Sequence, residues 1–378
     1  MTPKVKNALF SVVRMGMDLD APADLDLSAE DCAALMKIGD RQSIQPIVFR
    51  GLKRAGVPES RLRQYEQVWL GEMYKAFQRD DAINKVCAAL DGCGVPYVLL
   101  KGAVLRHLYP EITLRTSCDM DVLVREEDLE KAVGALEAAT DFRAVKRAYH
   151  DISMVNSRVH LELHFSIKEN AENLDGLLKR AWDYAEPTGD GERYSFTPEY
   201  QIFYIVAHMC HHFLHGGLGV RSFLDLWLLE NRTDFDEKTV RSMCDRCGIL
   251  TFYEECCALA RCWLEKAPHT GTTAMFEQAC LYGGVFGSEQ FKAAARQKDQ
   301  RGLRYLLRRV FPPAYQVREF YGDGSGKKHT LAYYYAKRLF SWTGKKRRAQ
   351  LKSQMDAILS SDREYLDRTS KLLKRLGL

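Results

Sequence analysis

Two segments of the chain show the hydrophobic and polar pattern of a β-strand that is buried on one face. The first, Asp119–Val124, begins with two acids separated by a methionine, and the second, Val159–Phe165, alternates strictly between hydrophobic and polar residues. Because successive side chains of a strand point to opposite faces, Asp119 and Asp121 should share a face. The polar face of the second strand carries His160, Glu162 and His164. If the two strands are neighbours, Glu162 lies beside the aspartates, and three carboxylates together favour a hard cation such as Mg²⁺.

The rest of the pattern predicts helices around a small set of strands. Residues from about 25 to 92 have helical spacing, with a capping-box start at Ser28–Asp31 and an end at Gly92–Gly94. In the middle of the chain we predict strands at 97–100, 143–146 and 151–155, a short helix at 103–109 and an amphipathic helix at 126–139. From about residue 173 onward the chain is mostly helical, with helices predicted from 198, around 224–229, and at 236–264, 270–300, 301–310, 329–342 and 347–375.

These elements predict an α+β fold, in which a small mixed β-sheet is flanked by an N-terminal helical region and a larger C-terminal helical region. We place the domain boundaries at residues 1–92, 93–170 and 171–378. Within the sheet we expect one parallel strand pair joined by a helix, followed by antiparallel strands. We expect the carboxylate face to be open and the opposite face to be covered by helices. The N-terminal helices are expected to form a lid or a packing arm.

The composition indicates a globular intracellular protein. With 378 residues, of which 46% are hydrophobic, the chain is long enough to bury a large core. A net charge of +5 is too small to indicate a nucleic-acid partner by itself, and the eleven scattered cysteines are typical of reduced proteins. The N-terminus has no signal-peptide pattern, and no segment approaches the roughly 18 consecutive apolar residues of a membrane span. We therefore expect a cytoplasmic protein.

The residues before the first acidic strand suggest a phosphate site. Lys101 and Gly102 end an apolar run and begin a short helix. A glycine at that point lets free backbone N–H groups approach an anion, and a lysine adds a positive charge that can reach a triphosphate. Arg115 lies four residues before Asp119 and is a second candidate for binding phosphate or substrate. An ordinary strand-to-helix turn and a structural salt bridge are the alternatives for these residues.

Together these residues resemble the DNA-polymerase-β-like nucleotidyltransferase superfamily. The pattern consists of Leu99–Gly102, Leu108–Pro110, Arg115, Asp119–Val124 and Glu162–His164. It is most similar to a poorly characterised bacterial branch that has Lys-Gly where the wider superfamily has Gly-Ser, and Cys118 stands where the superfamily often has glycine. The resemblance implies a metal-dependent enzyme that moves an NMP from an NTP, with ATP favoured, to an acceptor hydroxyl or phosphate and releases pyrophosphate. The acceptor class, whether small molecule, tRNA or protein, stays open.

The predicted chemistry needs cations more than it needs covalent help from the protein. Two ions bridged by carboxylates hold the phosphates in line, activate the attacking oxygen and stabilise the leaving pyrophosphate. In this hypothesis Asp119 and Asp121 bridge two Mg²⁺ or Mn²⁺ ions, and Glu162 completes the site of the attacking group, with a role as base as a further option. The rival hypothesis is a catalytically inactive nucleotide-binding or scaffold module, in which these acids form a solvated strand end.

Four histidines are spaced so that they share one face of a helix: His208, His211, His212 and His215. Zinc is one interpretation, but no acidic third ligand has the spacing seen in zinc-binding helices. The resembled branch has a histidine-bearing helix followed by an arginine and an aspartate, matched here by His208, Arg221 and Asp225. With His164, these residues are predicted to help bind the nucleotide or the acceptor. A network of buried polar groups that ties helices together is the alternative.

The segment from Gly324 to Met355 contains nine Lys or Arg and no Asp or Glu. Aromatic residues such as Tyr333 and Trp342 lie between the basic ones. Such mixtures bind RNA or an anionic surface, although a helix that packs its aromatic residues and exposes its charges has the same pattern. We predict RNA or another polyanion as a partner of this segment, and no transmembrane segment in the chain.

Overall fold

The structure is a computed structural model that describes residues 2–148, 150–169, 172–283, 291, 330–341 and 363–378. The helices are α1 (Pro3–Gly16), α2 (Ala29–Arg41), α3 (Gln45–Arg54), α4 (Glu59–Gly92), α5 (Gly102–Leu105), α6 (Leu129–Ala139), α7 (Glu172–Leu178), α8 (Pro198–His215), α9 (Val220–Arg232), α10 (Glu237–Arg246), α11 (Leu250–Leu264), α12 (Gly271–Gly283), α13 (Leu331–Ser341) and α14 (Arg363–Arg375). The strands are β1 (Tyr97–Leu99), β2 (Asp119–Val124), β3 (Arg143–Arg147), β4 (Asp151–Val155), β5 (His160–His164), β6 (Ala185–Pro187) and β7 (Arg193–Phe196). The predicted α+β class is confirmed.

The start of α2 and the end of α4 lie where the sequence predicts a helix start and a helix end. Ser28 Oγ accepts a hydrogen bond from the backbone N–H of Asp31 over 3.1 Å, and the Asp31 carboxylate accepts one from the backbone N–H of Ser28 over 3.0 Å. This capping box satisfies two N–H groups that have no partner inside α2. The long apolar pattern folds as the single helix α4, which ends at Gly92. The helix α1 precedes the region in which helices were predicted.

The strands form one sheet of seven strands in the order β3-β4-β5-β2-β1-β7-β6. β2 and β5 are parallel neighbours, so the two polar strand faces lie side by side as the sequence suggested. β4 is antiparallel to β5, and β3 is antiparallel to β4. β1 pairs with β2 on one side and, in parallel, with β7 on the other.

One parallel pair joined by a helix was predicted, and the two strands that flank the short helix α5 do not form it. β1 and β2 flank α5 in the chain, and they are antiparallel. A parallel connection has to carry the chain back along the sheet, which takes a dozen or more residues and usually a long helix. α5 has four residues, so the chain turns back beside β1 instead. The parallel pairs are β2 with β5, between which lie α6 and the β3–β4 hairpin, and β1 with β7.

Hydrophobic residues of the sheet enter two cores. On one face, Met120 packs with residues of α4 and α6 such as Val86 and Leu136. On the other face, Val98 and Leu123 join a larger core that also contains residues of α1–α3 and α8–α11. The N-terminal helices are therefore packed against the C-terminal ones over a shared core.

The carboxylate face is partly covered. Leu123 lies on the same face as Asp121, two residues further along β2, and it belongs to the larger core. Helices of that core therefore also cover Asp121, which is 3% exposed. The expectation of an open carboxylate face is wrong at Asp121, whereas at the start of β2 Asp119 is half-buried and Cys118 is exposed.

The three-domain division stays a prediction. β6 and β7 lie beyond residue 170 and yet belong to the same sheet as β1–β5. Among the described residues, no helix combines the length and the hydropathy needed to cross a membrane. Of the predicted basic segment, residues 330–341 are described and contain α13. Its remainder, with the helices predicted at 301–310 and over parts of 270–300 and 347–375, lies outside the described residues.

Candidate active site

β2 and β5 bring the predicted carboxylates onto one surface. Asp121 is directly opposite Glu162, and Asp119 is opposite His160. One ligand atom from each of Asp121, Glu162 and His164 lies within 4.8 Å of the other two. Two carboxylates and an imidazole at this separation form a candidate metal centre. The predicted set was Asp119, Asp121 and Glu162, so this group contains His164 in place of Asp119.

His164 contacts both carboxylates of this group. Its Nε2 lies 3.0 Å from Asp121 Oδ1 and 3.5 Å from Glu162 Oε2. Burial would lower the pKa of His164, but the hydrogen bonds to the two carboxylates outweigh burial and raise its pKa to about 8. At neutral pH the imidazole is therefore protonated and donates to Asp121. Coordination of a metal through Nε2 requires that it lose this proton.

Asp119 lies at the edge of the group. Burial raises the pKa of its carboxyl, the negative charges of Asp121 and Glu162 raise that pKa further, and the charge of Lys101 opposes them. Ser117 Oγ donates to the backbone oxygen of Asp119 over 2.9 Å, which fixes the start of β2. Mutual repulsion of carboxylates is relieved by a cation between them, so the charge arrangement is compatible with a metal at this position.

Lys101 lies between β1 and α5 and contacts the same aspartate. Its backbone has φ +42° and ψ −113°, a region that residues other than glycine rarely occupy. Its Nζ lies 3.2 Å from Asp121 Oδ1. Burial would lower the pKa of Lys101, but the charge of Asp121 raises it well above its usual value. The structure pairs Lys101 with Asp121, and its contact with a triphosphate stays a prediction.

Gly102 begins α5 at a place where a side chain does not fit. A Cβ at this position would lie 2.7 Å from Arg115 Nη1 and 2.9 Å from Ser117 Oγ. The carbonyl of Gly102 accepts a hydrogen bond from Arg106 Nε over 3.2 Å. A side chain at this position would therefore have to displace the side-chain ends of Arg115 and Ser117. The prediction that its backbone approaches a phosphate is untested.

Arg115 and Asp225, both predicted to bind a ligand, bind each other. Arg115 Nε and Nη2 donate to the two carboxylate oxygens of Asp225 over 2.8 and 2.7 Å, and Tyr109 Oη donates to Asp225 over 2.8 Å. The structure therefore has the salt bridge that was the alternative for Arg115. Arg221 Nη1 donates to the backbone oxygen of Thr116 over 2.8 Å. Nucleotide contacts by Arg115, Arg221 and Asp225 stay predictions.

A carboxylate that the sequence did not single out joins α8 to the segment that follows β5. Glu169 is 7% exposed, and its Oε1 lies 2.7 Å from His208 Nδ1. His211 Nδ1 lies 2.6 Å from the backbone oxygen of Glu169 and 3.3 Å from its Oε2. Burial raises the pKa of Glu169 and lowers the pKa of both histidines. The sequence signal was an acid just after a strand, but its partners are 39 and 42 residues away.

The four histidines of α8 have two environments. His208 and His211 are half-buried and contact Glu169, whereas His212 and His215 are exposed. Burial lowers the pKa of His208, and the charge of Lys101 lowers it further. His208 and His211 therefore belong to a polar network that ties α8 to the segment after β5. Nucleotide binding by His208 stays a prediction.

Comparison with known proteins assigns the family. No curated protein matches the chain. A family model described as an uncharacterised nucleotidyltransferase matches residues 28–265. The matched region contains α2 to α11 and every strand described above, and thus the whole carboxylate group with Lys101 and Glu169. Because the match covers more than half of the sequence, the chain belongs to this family of uncharacterised nucleotidyltransferases.

Proposed function

We propose that this protein is a metal-dependent enzyme that transfers a nucleoside monophosphate from an NTP, with ATP favoured, to an acceptor hydroxyl or phosphate and releases pyrophosphate. The observation that carries the proposal is the parallel register of β2 and β5, which sets Asp121 opposite Glu162. Membership of a nucleotidyltransferase family supports it. The proposal also includes the likeness to the DNA-polymerase-β-like superfamily, whose acidic pattern these strands share.

The residues present fit a divalent cation. The carboxyl groups of Asp121 and Glu162 both have pKa values below their usual range. Burial would raise the pKa of Asp121, but Lys101 and His164 outweigh burial. The pKa of Glu162 is lowered because Glu162 accepts a hydrogen bond from His164. Both are therefore ionised at neutral pH. With Asp119 they offer carboxylate oxygens, the ligands that Mg²⁺ and Mn²⁺ prefer. We propose these three acids as ligands.

Each side chain has a defined task in the proposed reaction. A bound divalent cation would align the phosphates and neutralise charge on the departing pyrophosphate. The acceptor oxygen forms a bond to the α-phosphorus, the bond from that phosphorus to the bridging oxygen breaks, and the acceptor proton passes to Glu162, the half-exposed acid of the pair. His164 and Lys101 hold Asp121 in one orientation through contacts of 3.0 and 3.2 Å.

The test is transfer of label from each α-labelled NTP with Mg²⁺ or Mn²⁺, with a cell lysate as the acceptor pool. Asp119→Asn removes one proposed ligand, and Asp234→Asn is the matched control because Asp234 is exposed between α9 and α10. We expect label in RNA, protein or a small molecule with the wild type and the control, and none with Asp119→Asn. Absence of label from every reaction, without any metal-dependent thermal shift by NTP, would support the scaffold alternative instead.

A further inference from the structure

A cavity of about 440 Å³ lies where β1 and β7 meet α8 and α9. Its walls are largely apolar and come from several parts of the chain, with Leu99 on β1, Val104 on α5, Leu108 in the turn after α5, Phe196 on β7 and Leu229 on α9. None of these residues belongs to the carboxylate group. A concave and mainly apolar cavity of this size is the usual form of a small-molecule site.

Gln201, on α8, lines this cavity with a polar side chain. It is 7% exposed, and its Nε2 is buried without a hydrogen-bond partner in the described part of the chain. Nearly all buried polar groups of folded proteins have a partner, because an unpaired one destabilises the fold. A hydrogen-bond acceptor inside the cavity would remove that cost. The amide of Gln201 therefore indicates a ligand that carries an acceptor.

Arg193, on β7, adds a positive charge to the lining of the same cavity. Its Nε is buried and has no hydrogen-bond partner, and among the described residues no carboxylate forms an ion pair with its guanidinium. Asp91 contacts the neighbouring residue instead, accepting a hydrogen bond from the backbone N–H of Glu192 over 2.7 Å and one from Tyr97 Oη over 3.4 Å. The acid beside this part of β7 thus has other partners.

The cavity has a positive charge and no negative one. Among the lining residues that the structure describes, none is an aspartate or a glutamate. His107 also lines the cavity, and its pKa is lowered by burial and by the charges of Arg106 and Arg193, with Asp80 opposing them. It is therefore neutral at pH 7, and the charge of the lining is that of Arg193. His107 is exposed, as is Ser195, so the cavity is accessible from solvent.

We propose that this cavity binds a small organic acid, a molecule with an apolar body and one carboxylate, through contacts with Arg193 and Gln201. The apolar walls cover the body of the ligand. A planar guanidinium matches the geometry of a carboxylate, and a glutamine amide donates to one of its oxygens. A neutral apolar molecule would leave both donors unpaired, and an inorganic anion would leave the walls uncovered. The inference is independent of the proposed function.

Calorimetric titrations of the full chain, in buffer with a chelator, test the site. The probes are 3-phenylpropionate, indole-3-acetate and octanoate, each compared with its primary amide, which has the same body and no charge. Acetate has the charge and lacks the body. The variants are Arg193→Met and Gln201→Leu, which remove the donors and keep long side chains. Arg63→Met and Gln64→Leu are the matched controls, because both residues are exposed on α4.

We expect at least one of the three acids to bind the wild type and both controls with one-to-one stoichiometry, and its amide and acetate to bind at least tenfold more weakly. Arg193→Met should weaken binding of the acid roughly tenfold to a hundredfold, and Gln201→Leu roughly twofold to tenfold, the equivalents of a charged and a neutral hydrogen bond. The melting temperature of unliganded Gln201→Leu should not fall, since an unpaired buried amide is removed.

If either variant does not fold, Ser195→Trp decides. Ser195 is an exposed residue of the lining, so a large ring there should obstruct the cavity without disturbing a core, and the acid should no longer bind. Binding to Ser195→Trp with the affinity of the wild type would place the acid elsewhere and overturn the inference.

Three other outcomes would overturn it as well: binding of none of the three acids, equal affinity for an acid and its amide, or an affinity that either donor variant leaves unchanged. The transfer assay is scored separately. Asp119→Asn should bind the acid as tightly as the wild type, because Asp119 does not line the cavity. Binding of the acid by a protein that transfers no label leaves the inference intact and removes the proposed function, and transfer by a protein that binds none of the acids does the reverse.

Discussion

Asp225 and Asp121 are buried to nearly the same degree, at 5% and 3% exposure, and each contacts a cationic side chain. Asp225 has a matched environment, with two hydrogen bonds from Arg115 and one from Tyr109. Asp121 has Lys101 and His164 as cations, but it also lies beside two further acids. The first group is closed by its own side chains, whereas the second has an excess of negative charge. The comparison indicates that imbalance of charge, rather than burial, distinguishes the carboxylate group of the proposed metal centre from the pair of Asp225 and Arg115.

The largest expected effect tests the pairing of Asp225 with Arg115. Asp225→Asn leaves the buried guanidinium of Arg115 without its counter-charge, so the free energy of unfolding should fall by about 3–5 kcal/mol. Urea unfolding measures this loss. Asp234→Asn, at an exposed position, should change it by no more than about 0.5 kcal/mol. A loss for Asp225→Asn as small as that of the control would mean that the pair contributes nothing to folding.

The next effect tests the carboxylate group of Asp119, Asp121 and Glu162 by adding a divalent cation. Mn²⁺ at about 100 times its Kd should raise the free energy of unfolding by about 2.7 kcal/mol, seen as a higher melting temperature. Asp119→Asn should lose this gain, while its own stability without metal should equal or exceed that of the wild type, because one repelling charge is gone. If Asp119→Asn instead destabilises the chelator-treated protein as much as Asp225→Asn does, the contrast between the two groups is wrong.

A third effect is the pH dependence of stability that His208 and His211 produce. The pKa values of His208 and His211 are lowered in the folded protein, so the unfolded chain binds protons that the folded chain does not. Their contribution to stability is present above their ordinary pKa of about 6.5 and is lost as the pH falls below it, by up to about 1.4 kcal/mol per histidine and pH unit. The raised pKa of Glu169 has the opposite effect on stability, because there the folded chain binds a proton that the unfolded chain has lost. This effect begins at a lower pH, near the ordinary pKa of a glutamate.

Urea unfolding between pH 7 and pH 5 measures this slope. His208→Gln should flatten it, whereas His215→Gln, at an exposed position on the same helix, should not. Asp225→Asn should be less stable at every pH and yet keep the wild-type slope, because an arginine and a tyrosine both stay protonated between pH 5 and pH 7. A slope that His208→Gln leaves unchanged would place the titrating groups elsewhere in the protein.

The smallest effect concerns the contact between Gly102 and Arg115. In Gly102→Ala the new methyl group would press on Arg115 Nη1, and Arg115 cannot move freely while it is bound to Asp225. We expect a loss of about 1 kcal/mol of stability and a higher KM for the NTP. Gly134→Ala is the control, since a Cβ at Gly134 on α6 meets nothing within 4 Å and should stabilise that helix by about 0.5–1 kcal/mol. Equal behaviour of the two variants would show that Gly102 has room for a side chain.

The sequence predicted those features that depend on local periodicity. The alternation in β2 and β5 assigned Asp121 and Glu162 to one face, and the structure confirms that the strands are neighbours. The capping box at Ser28 and the end of α4 were predicted for the same reason, because each depends on residues within one turn.

Features that depend on long-range packing were missed or misjudged. Glu169 is a single charged residue in an ordinary local pattern, and its role follows from the helix α8 that packs beside it. The antiparallel pairing of β1 and β2 depends on how a four-residue helix turns the chain. We predicted an open carboxylate face because the alternation of residues in β2 does not reveal that α8 and the larger core pack near it.

Cys118 gives the start of β2 a chemical handle. It is the exposed one of the eleven free cysteines, the others being buried or half-buried, and it immediately precedes Asp119. An alkylating reagent should therefore modify the natural protein first at the rim of the proposed site. The rate of that modification becomes a footprint of the rim, in which slower labelling in the presence of a compound reports occupancy directly, before any substrate or product has been identified.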